Sequence, residues 1–335
     1  MNLELLDKNN PLVINIPKKN NDLDDYNIDD YLYMQQQLNN INIDNLLRQM
    51  YDTSKNDRFY SFNDFKNRCT RGISQKLIDF DNNILPSKNL YKIGNGGNKK
   101  NCIICCTSIS HKRDTDVQQD SRFKASQLIK ESLEEVGYNG YFYLLNGGFP
   151  NPTGIELQYM GVPYCFKIFM MLEAKKLGFK NIIWIDSGCI AINNPEFLFK
   201  LLDENDTLID YIGSNNKYDE MVFKNTIELL NSITNTDIHT AKYIPTVVFG
   251  FNLESKNIKK IIDEYYFMVK LGLPFMSIFP EEIVLSAIFN KPEYKYLLYD
   301  NQELKKLQIN ERHINKAEAK KAGYYFYHQN YKKFM

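Results

Sequence analysis

Residues 161–195 read GVPYCFKIFMMLEAKKLGFKNIIWIDSGCIAINNP. Apolar residues at helical spacing over 164–177 predict an amphipathic helix, closed by a glycine-containing turn. The run Ile182, Ile183, Trp184 and Ile185 then predicts a strand buried on both faces. That strand stops at a carboxylate, Asp186, followed by two small residues, Ser187 and Gly188. A charge at the end of a buried strand is costly unless it is paired or binds something. The carboxyl ends of strands are also where open α/β sheets hold ligands.

Working outward, the run NCIICCT at 101–107 has the same doubly buried character and ends in hydroxyls, Thr107 and Ser108. Residues 117–136 predict a helix whose stripe is Phe123, Leu128, Ile129 and Leu133, with Gly137 as its C-cap. A second strand is expected at 140–145. Strand, helix, strand, helix, strand with short loops predicts an α/β fold with a doubly wound, mostly parallel sheet. The ends at Thr107 and Asp186 should then face one crevice. Downstream, the pattern predicts helices at 194–203, 219–233, 258–270 and 279–289. Strands are expected at 208–214, 244–252 and 294–299, the second interrupted by Gly250. Pro280, Glu281 and Glu282 mark the start of the last helix.

Residues 1–95 differ in texture. They are rich in Asn and Asp, with helical spacing at 31–50 and 62–80, which predicts a helical accessory region whose first 25 or so residues are poorly ordered. The run KIGNGGNKK at 92–100 precedes a strand, whereas a phosphate loop follows one, so it is expected to be a linker. The sheet domain is placed at 96–335.

Composition narrows the classes. The 41 basic and 41 acidic residues cancel, so no global field draws nucleic acid or an anionic membrane. Neither a basic leader with an apolar run nor an 18-residue apolar segment is present, and a soluble protein without a transmembrane segment is expected. The six cysteines lack paired spacing and read as free thiols in a reducing compartment, hence a cytoplasmic location.

A carboxylate at a strand end, with another acidic group two residues on, can grip a divalent ion that bridges a diphosphate. The stretch from Pro163 through Gly188 resembles the segment of GT-A type glycosyltransferases in which a helix leads into a strand ending in an Asp-x-Asp-like motif. Thr107 and Ser108 resemble the end of that superfamily's first strand, which cups the nucleotide. Val248, Phe249, Gly250, Phe251 and Asn252 resemble its acceptor-facing strand, and Glu281 with Glu282 its acidic helix start. His328, with Lys332 and Lys333, is similar to a terminal set that adds to metal and diphosphate in some such enzymes. The likeness covers residues 100–335.

That resemblance implies a GT-A-like fold and a nucleotide-diphosphate sugar donor. The acceptor would be a hydroxyl of a glycan, a protein or a small molecule. It assigns Thr107, Ser108, Asp186, Ser187 and Gly188 to the donor, Gly250 and Asn252 to the acceptor, and Glu281 or Glu282 to the catalytic base; Lys167, at a helix start, and Arg122, early in the helix after the first strand, are read as further donor contacts. Asp186 and His328 would hold Mn²⁺ or Mg²⁺. One departure stands out: Gly188 occupies the place of the second carboxylate. A non-catalytic nucleotide-sugar-binding or scaffold protein of the same fold is therefore the alternative, with a nucleotidyltransferase ranked below it. Asp114 and Asp116 form a literal Asp-x-Asp, but in a polar loop, and are read as a decoy. His111, His239 and His313 have no convergent partners and are expected at the surface.

Overall fold

The computed structural model describes residues 12–13, 36, 45, 48, 51, 63, 87–107, 117–146, 148–213 and 222–329, with main chain alone for 117–124. Most of the expected N-terminal helical region lies outside them. The described positions Gln36, Asn45, Arg48, Tyr51 and Asn63 are all helical. Leu12, expected in a poorly ordered leader, is instead buried in the main core.

Six strands form the central sheet in the order β1-β3-β2-β4-β7-β6. They are β1 (Ser87–Ile93), β2 (Asn101–Thr107), β3 (Gly140–Asn146), β4 (Asn181–Ile185), β6 (Thr207–Leu208) and β7 (Val248–Asn252). β3, β2 and β4 pair in parallel, while β1 and β7 run against their neighbours. β6 pairs antiparallel with β7, so four of the six strands point one way and the α/β, mostly parallel expectation holds.

The crossovers are α1 (Val117–Glu135), between β2 and β3, and α2 (Phe166–Lys176), between β3 and β4. Gly137 closes the first at φ +68, where Tyr138 N–H reaches the Leu133 carbonyl, the expected left-handed cap. Alternate residues of each central strand feed opposite cores. Cys102, Ile104, Cys106, Ile182 and Trp184 pack with α2, α4 (Lys224–Thr234), α5 (Lys256–Leu271) and α6 (Pro280–Phe289). Ile103, Cys105, Ile183 and Ile185 pack with α1 and α3 (Glu196–Asn205). This two-sided burial is why the strands read as unbroken apolar runs.

A second sheet has the order β5-β9-β8, from β5 (Cys189–Ala191), β8 (Gln308–Asn310) and β9 (Phe326–His328); α7 (Lys316–Lys321) lies between the last two. The sequence reading missed these strands, and it missed β1, which lies before the expected boundary at 96. The 92–100 run is the turn from β1 to β2. It crosses the start of β3, where Gly97 N–H donates to Asn139 Oδ1. The strand expected at 294–299 is a short 3₁₀ turn, Lys295–Leu297, whose Leu297 carbonyl accepts from the Thr207 hydroxyl. That at 208–214 shrinks to β6 and an isolated bridge from Ile212 to Tyr243.

Gly250 sits inside the sheet, opposite Ile183 and Leu208. A β-carbon there would meet the Ile182 carbonyl oxygen at 2.9 Å and Leu202 Cδ2 at 3.3 Å. Gly250→Ala is expected to cost about 1–3 kcal/mol through overpacking. A denaturant midpoint unchanged from wild type would refute that packing.

Candidate functional site

The carboxyl ends of β2, β3 and β4 lie on one edge of the sheet because these strands are parallel. Thr107 and Asp186 therefore share that edge, as expected. Thr107 is held there by its hydroxyl, which donates to Asn146 Oδ1 at 3.0 Å at the end of β3. Ser108 lies outside the described residues, as do His111, Asp114, Asp116, Lys332 and Lys333, and the side chain of Arg122 is not described.

Asp186 follows Trp184 by two residues and so faces the same side of the sheet, where α2 and α6 pack. The Trp184 indole N–H donates to Asp186 Oδ1 at 2.8 Å. The Lys167 ammonium, on the first turn of α2, approaches the same oxygen at 2.9 Å. Lys167 is buried, and its Nζ also contacts Glu281 Oε1 at 2.7 Å, the Thr246 carbonyl at 3.0 Å and the Thr246 hydroxyl at 3.1 Å. Burial alone would favour the neutral amine, but Asp186 and Glu281 outweigh it and hold the ammonium above its ordinary pKa.

A third carboxylate shares this cluster. Glu282 Oε1 accepts the Thr246 backbone N–H at 3.0 Å, and its Oε2 accepts the Tyr243 hydroxyl. Burial pushes the Glu282 carboxyl up to about 7, against the Thr246 N–H and the Lys167 charge. The Thr246 hydroxyl bridges to Glu281 Oε1 at 2.8 Å. Lys167, Asp186, Glu281 and Glu282, four residues singled out in the sequence, thus meet in one buried network. Trp184, Tyr243 and Thr246 were missed. Strand alternation could have found Trp184, since it shares a face with Asp186.

Lys167 has four oxygen acceptors for three N–H groups, so it positions Asp186 and Glu281 and has no donor to spare. Asp186 is 27% exposed. Its Oδ1 is occupied, and Oδ2 has no hydrogen-bond partner among the described residues.

The second sheet brings in the chain's far end. Cys189, three residues past Asp186, pairs with His328, and Gln329 N–H donates to the Gly188 carbonyl at 2.9 Å. His328 is thereby set over Gly188, and Ser187 is buried beside it. His239 and His313 are exposed, as expected. Cys102, Cys105, Cys106, Cys165 and Cys189 are buried free thiols.

Asn252 is not brought to this crevice. β7 runs antiparallel to β4, so Asn252 lies opposite Asn181, at the start of β4. Four residue steps, about 13 Å of strand, separate it from the level of Ile185. There its amide donates to Asp206 Oδ1 at 3.0 Å, fixing a turn. Gly250 serves packing, as above.

Mn²⁺ and Mg²⁺ take oxygen ligands. Here Asp186 Oδ1 and Glu281 Oε1 are engaged by Lys167, and Glu282 by Tyr243 and Thr246, while position 188 has no side chain. That leaves two carboxylate oxygens without a hydrogen-bond partner among the described residues, Asp186 Oδ2 and Glu281 Oε2. Among the described residues, no group of three or more His, Cys, Asp or Glu side chains is placed to hold a metal ion.

No protein-family model matches the chain, and no curated protein matches it. Among solved structures, apo mouse xyloside xylosyltransferase 1 aligns at 10% identity and a TM-score of 0.36, over 69% of this chain and 97% of that one. Among the described residues, no helix is long and apolar enough to cross a membrane.

Replacing Lys167 with Met would leave the buried Glu281 and the partly exposed Asp186 without their cation. A loss of about 3–5 kcal/mol is expected at neutral pH, shrinking as acid protonates them; urea unfolding across pH measures it. Glu282 carries a second expectation. Its folded pKa of about 7 exceeds the ordinary 4.5, so its stabilising contribution is whole below 4.5 and is lost as pH rises through 7. Glu282→Gln should therefore gain up to about 3 kcal/mol over wild type at alkaline pH, the two curves converging in acid. Parallel curves would show that Glu282 does not titrate in this window.

Proposed function

We propose that the chain is a glycosyltransferase, moving a sugar from a nucleotide-diphosphate donor to a hydroxyl acceptor. The observation behind this reading is the partly open Asp186, locked by a buried ammonium at the carboxyl edge of three parallel strands with the Thr107 hydroxyl on the same edge. That edge is where α/β sheets bind nucleotides. In this reading Thr107 and Ser108 face the nucleotide, and Asp186 accepts from a sugar hydroxyl. Glu282 is the base we assign: a carboxyl near 7 is partly ionised at neutral pH, the range that suits proton transfer from an acceptor hydroxyl.

A second reading, binding of the nucleotide sugar without turnover, is favoured by one specific feature. Glu281 and Glu282 both spend hydrogen bonds on Lys167, Thr246 and Tyr243 inside the protein. Catalysis by Glu282, both of whose oxygens are engaged, would require it to exchange an internal partner for the acceptor.

Incubation with UDP- and GDP-sugars separates the two. The transferase reading expects a raised melting temperature and release of nucleoside diphosphate, abolished in Asp186→Asn. A raised melting temperature with no release on any acceptor tested would favour the binding protein. No shift with any nucleotide sugar would sink both.

A further inference from the structure

Position 188 is occupied by its neighbour. A β-carbon on Gly188 would stand 2.9 Å from His328 Cδ2 and 3.0 Å from His328 Nε2. The ring's other nitrogen, Nδ1, faces the Asn310 side-chain amide nitrogen at 3.1 Å. Asn310 is oriented independently, since its Oδ1 accepts the Arg312 backbone N–H at 3.0 Å. Its NH₂ group is therefore the end turned toward the ring. An amide N–H only donates, so Nδ1 supplies a lone pair and the ring proton resides on Nε2. Burial, opposed by the attraction of Asp186, lowers the His328 pKa and favours this neutral form. The nitrogen over Gly188 is thus a hydrogen-bond donor, and a nitrogen that carries its proton has no lone pair for a metal.

Close by stands Asp186, with Oδ1 engaged by Trp184 and Lys167 and Oδ2 available as an acceptor. An acceptor beside a donor matches hydroxyls, which do both. The pair does not match phosphate oxygens. Among the described residues in contact with Asp186, one ammonium, Lys167, is shared with Glu281, so that group is net negative even with Glu282 protonated and disfavours an anion directly against Asp186.

We propose that this crevice takes its ligand without a divalent cation, Asp186 Oδ2 accepting from, and His328 Nε2–H donating to, the hydroxyls of a neutral sugar ring. The inference rests on the functional reading above for the ligand's identity, a nucleotide sugar, whose ribose and transferred sugar both carry such hydroxyls. It differs from a metal-and-diphosphate arrangement in what His328 does.

The test titrates the full chain with UDP, GDP, UDP-glucose and GDP-mannose by calorimetry, in EDTA and in Mn²⁺. Equal affinity in the two media is expected, with His328→Ala weakening binding about tenfold, the worth of one hydrogen bond. If the weakening is the same for diphosphates and nucleotide sugars, the ribose is the ring held. If it is confined to nucleotide sugars, the transferred sugar is. Binding that requires Mn²⁺, or that ignores His328→Ala, overturns the proposal and leaves the functional reading standing.

Two measurements need no nucleotide. Nitrogen-15 NMR of the wild-type imidazole should show the proton on Nε2, and the paramagnetic signal of free Mn²⁺ should persist with protein added. Asn310→Asp places an acceptor opposite Nδ1, draws the proton there and frees Nε2, so this variant should gain Mn²⁺ binding. A proton on Nδ1, or a stoichiometric Mn²⁺ in wild type lost in Asp186→Asn, overturns the proposal. If no nucleotide sugar binds in either medium, the functional reading and the sugar-ring assignment fall together, while these measurements still decide the metal-free chemistry of the pair.

Discussion

The buried ammonium of Lys167 is the constraint on which the crevice depends. An ion out of water must find charge and hydrogen bonds, and breaking such an arrangement costs more than building it gains. Lys167 meets that demand by joining four segments: the first turn of α2, the end of β4 through Asp186, the chain at Thr246 just before β7, and the first turn of α6 through Glu281. The Trp184 ring, 5.4 Å from Nζ, adds a cation–π contact from the same strand. Glu281 and Glu282 gain further from their place at a helix N-terminus, where the peptide dipoles favour negative charge. The result is a strand-end carboxylate with one oxygen held by the Trp184 indole and the Lys167 ammonium and the other taken by neither.

Much of this was legible in the sequence, for a physical reason. A strand covered on both faces reads as an apolar run, and a carboxylate ending such a run needs an explanation. Lys167, Asp186, Glu281 and Glu282 were all named on that logic, as residues out of character with apolar neighbours or at a helix start. What stayed hidden was strand direction. The apolar segment before Asn252 announces a strand, but nothing local says that it enters the sheet antiparallel to β4. With the direction reversed, the residues that reach the network around Lys167 are those that precede the strand: Thr246 bonds Lys167, Glu281 and Glu282, and Tyr243 bonds Glu282. Gly250 and Asn252 are carried to the middle and the far edge. The three-residue strands β5, β8 and β9 were hidden for another reason. They are too short to show a period, and β9 pairs with β5, more than a hundred residues before it in the chain.

Those short strands change the meaning of Gly188. In a linear comparison it is a missing carboxylate, a motif worn down at one position. In the fold it lies beneath an imidazole that β9 delivers, and Gln329 N–H holds its carbonyl. A side chain at 188 is excluded unless His328 moves. His328 is held by the pairing of β9 with both β5 and β8, and by Asn310 against its ring. Restoring an acidic residue at 188 alone would therefore press a second carboxylate against that ring and disturb the small sheet that carries it. The glycine, the histidine and the asparagine form one unit, and its chemistry is set by the amide that fixes the ring's proton, three elements away from the strand on which Asp186 stands.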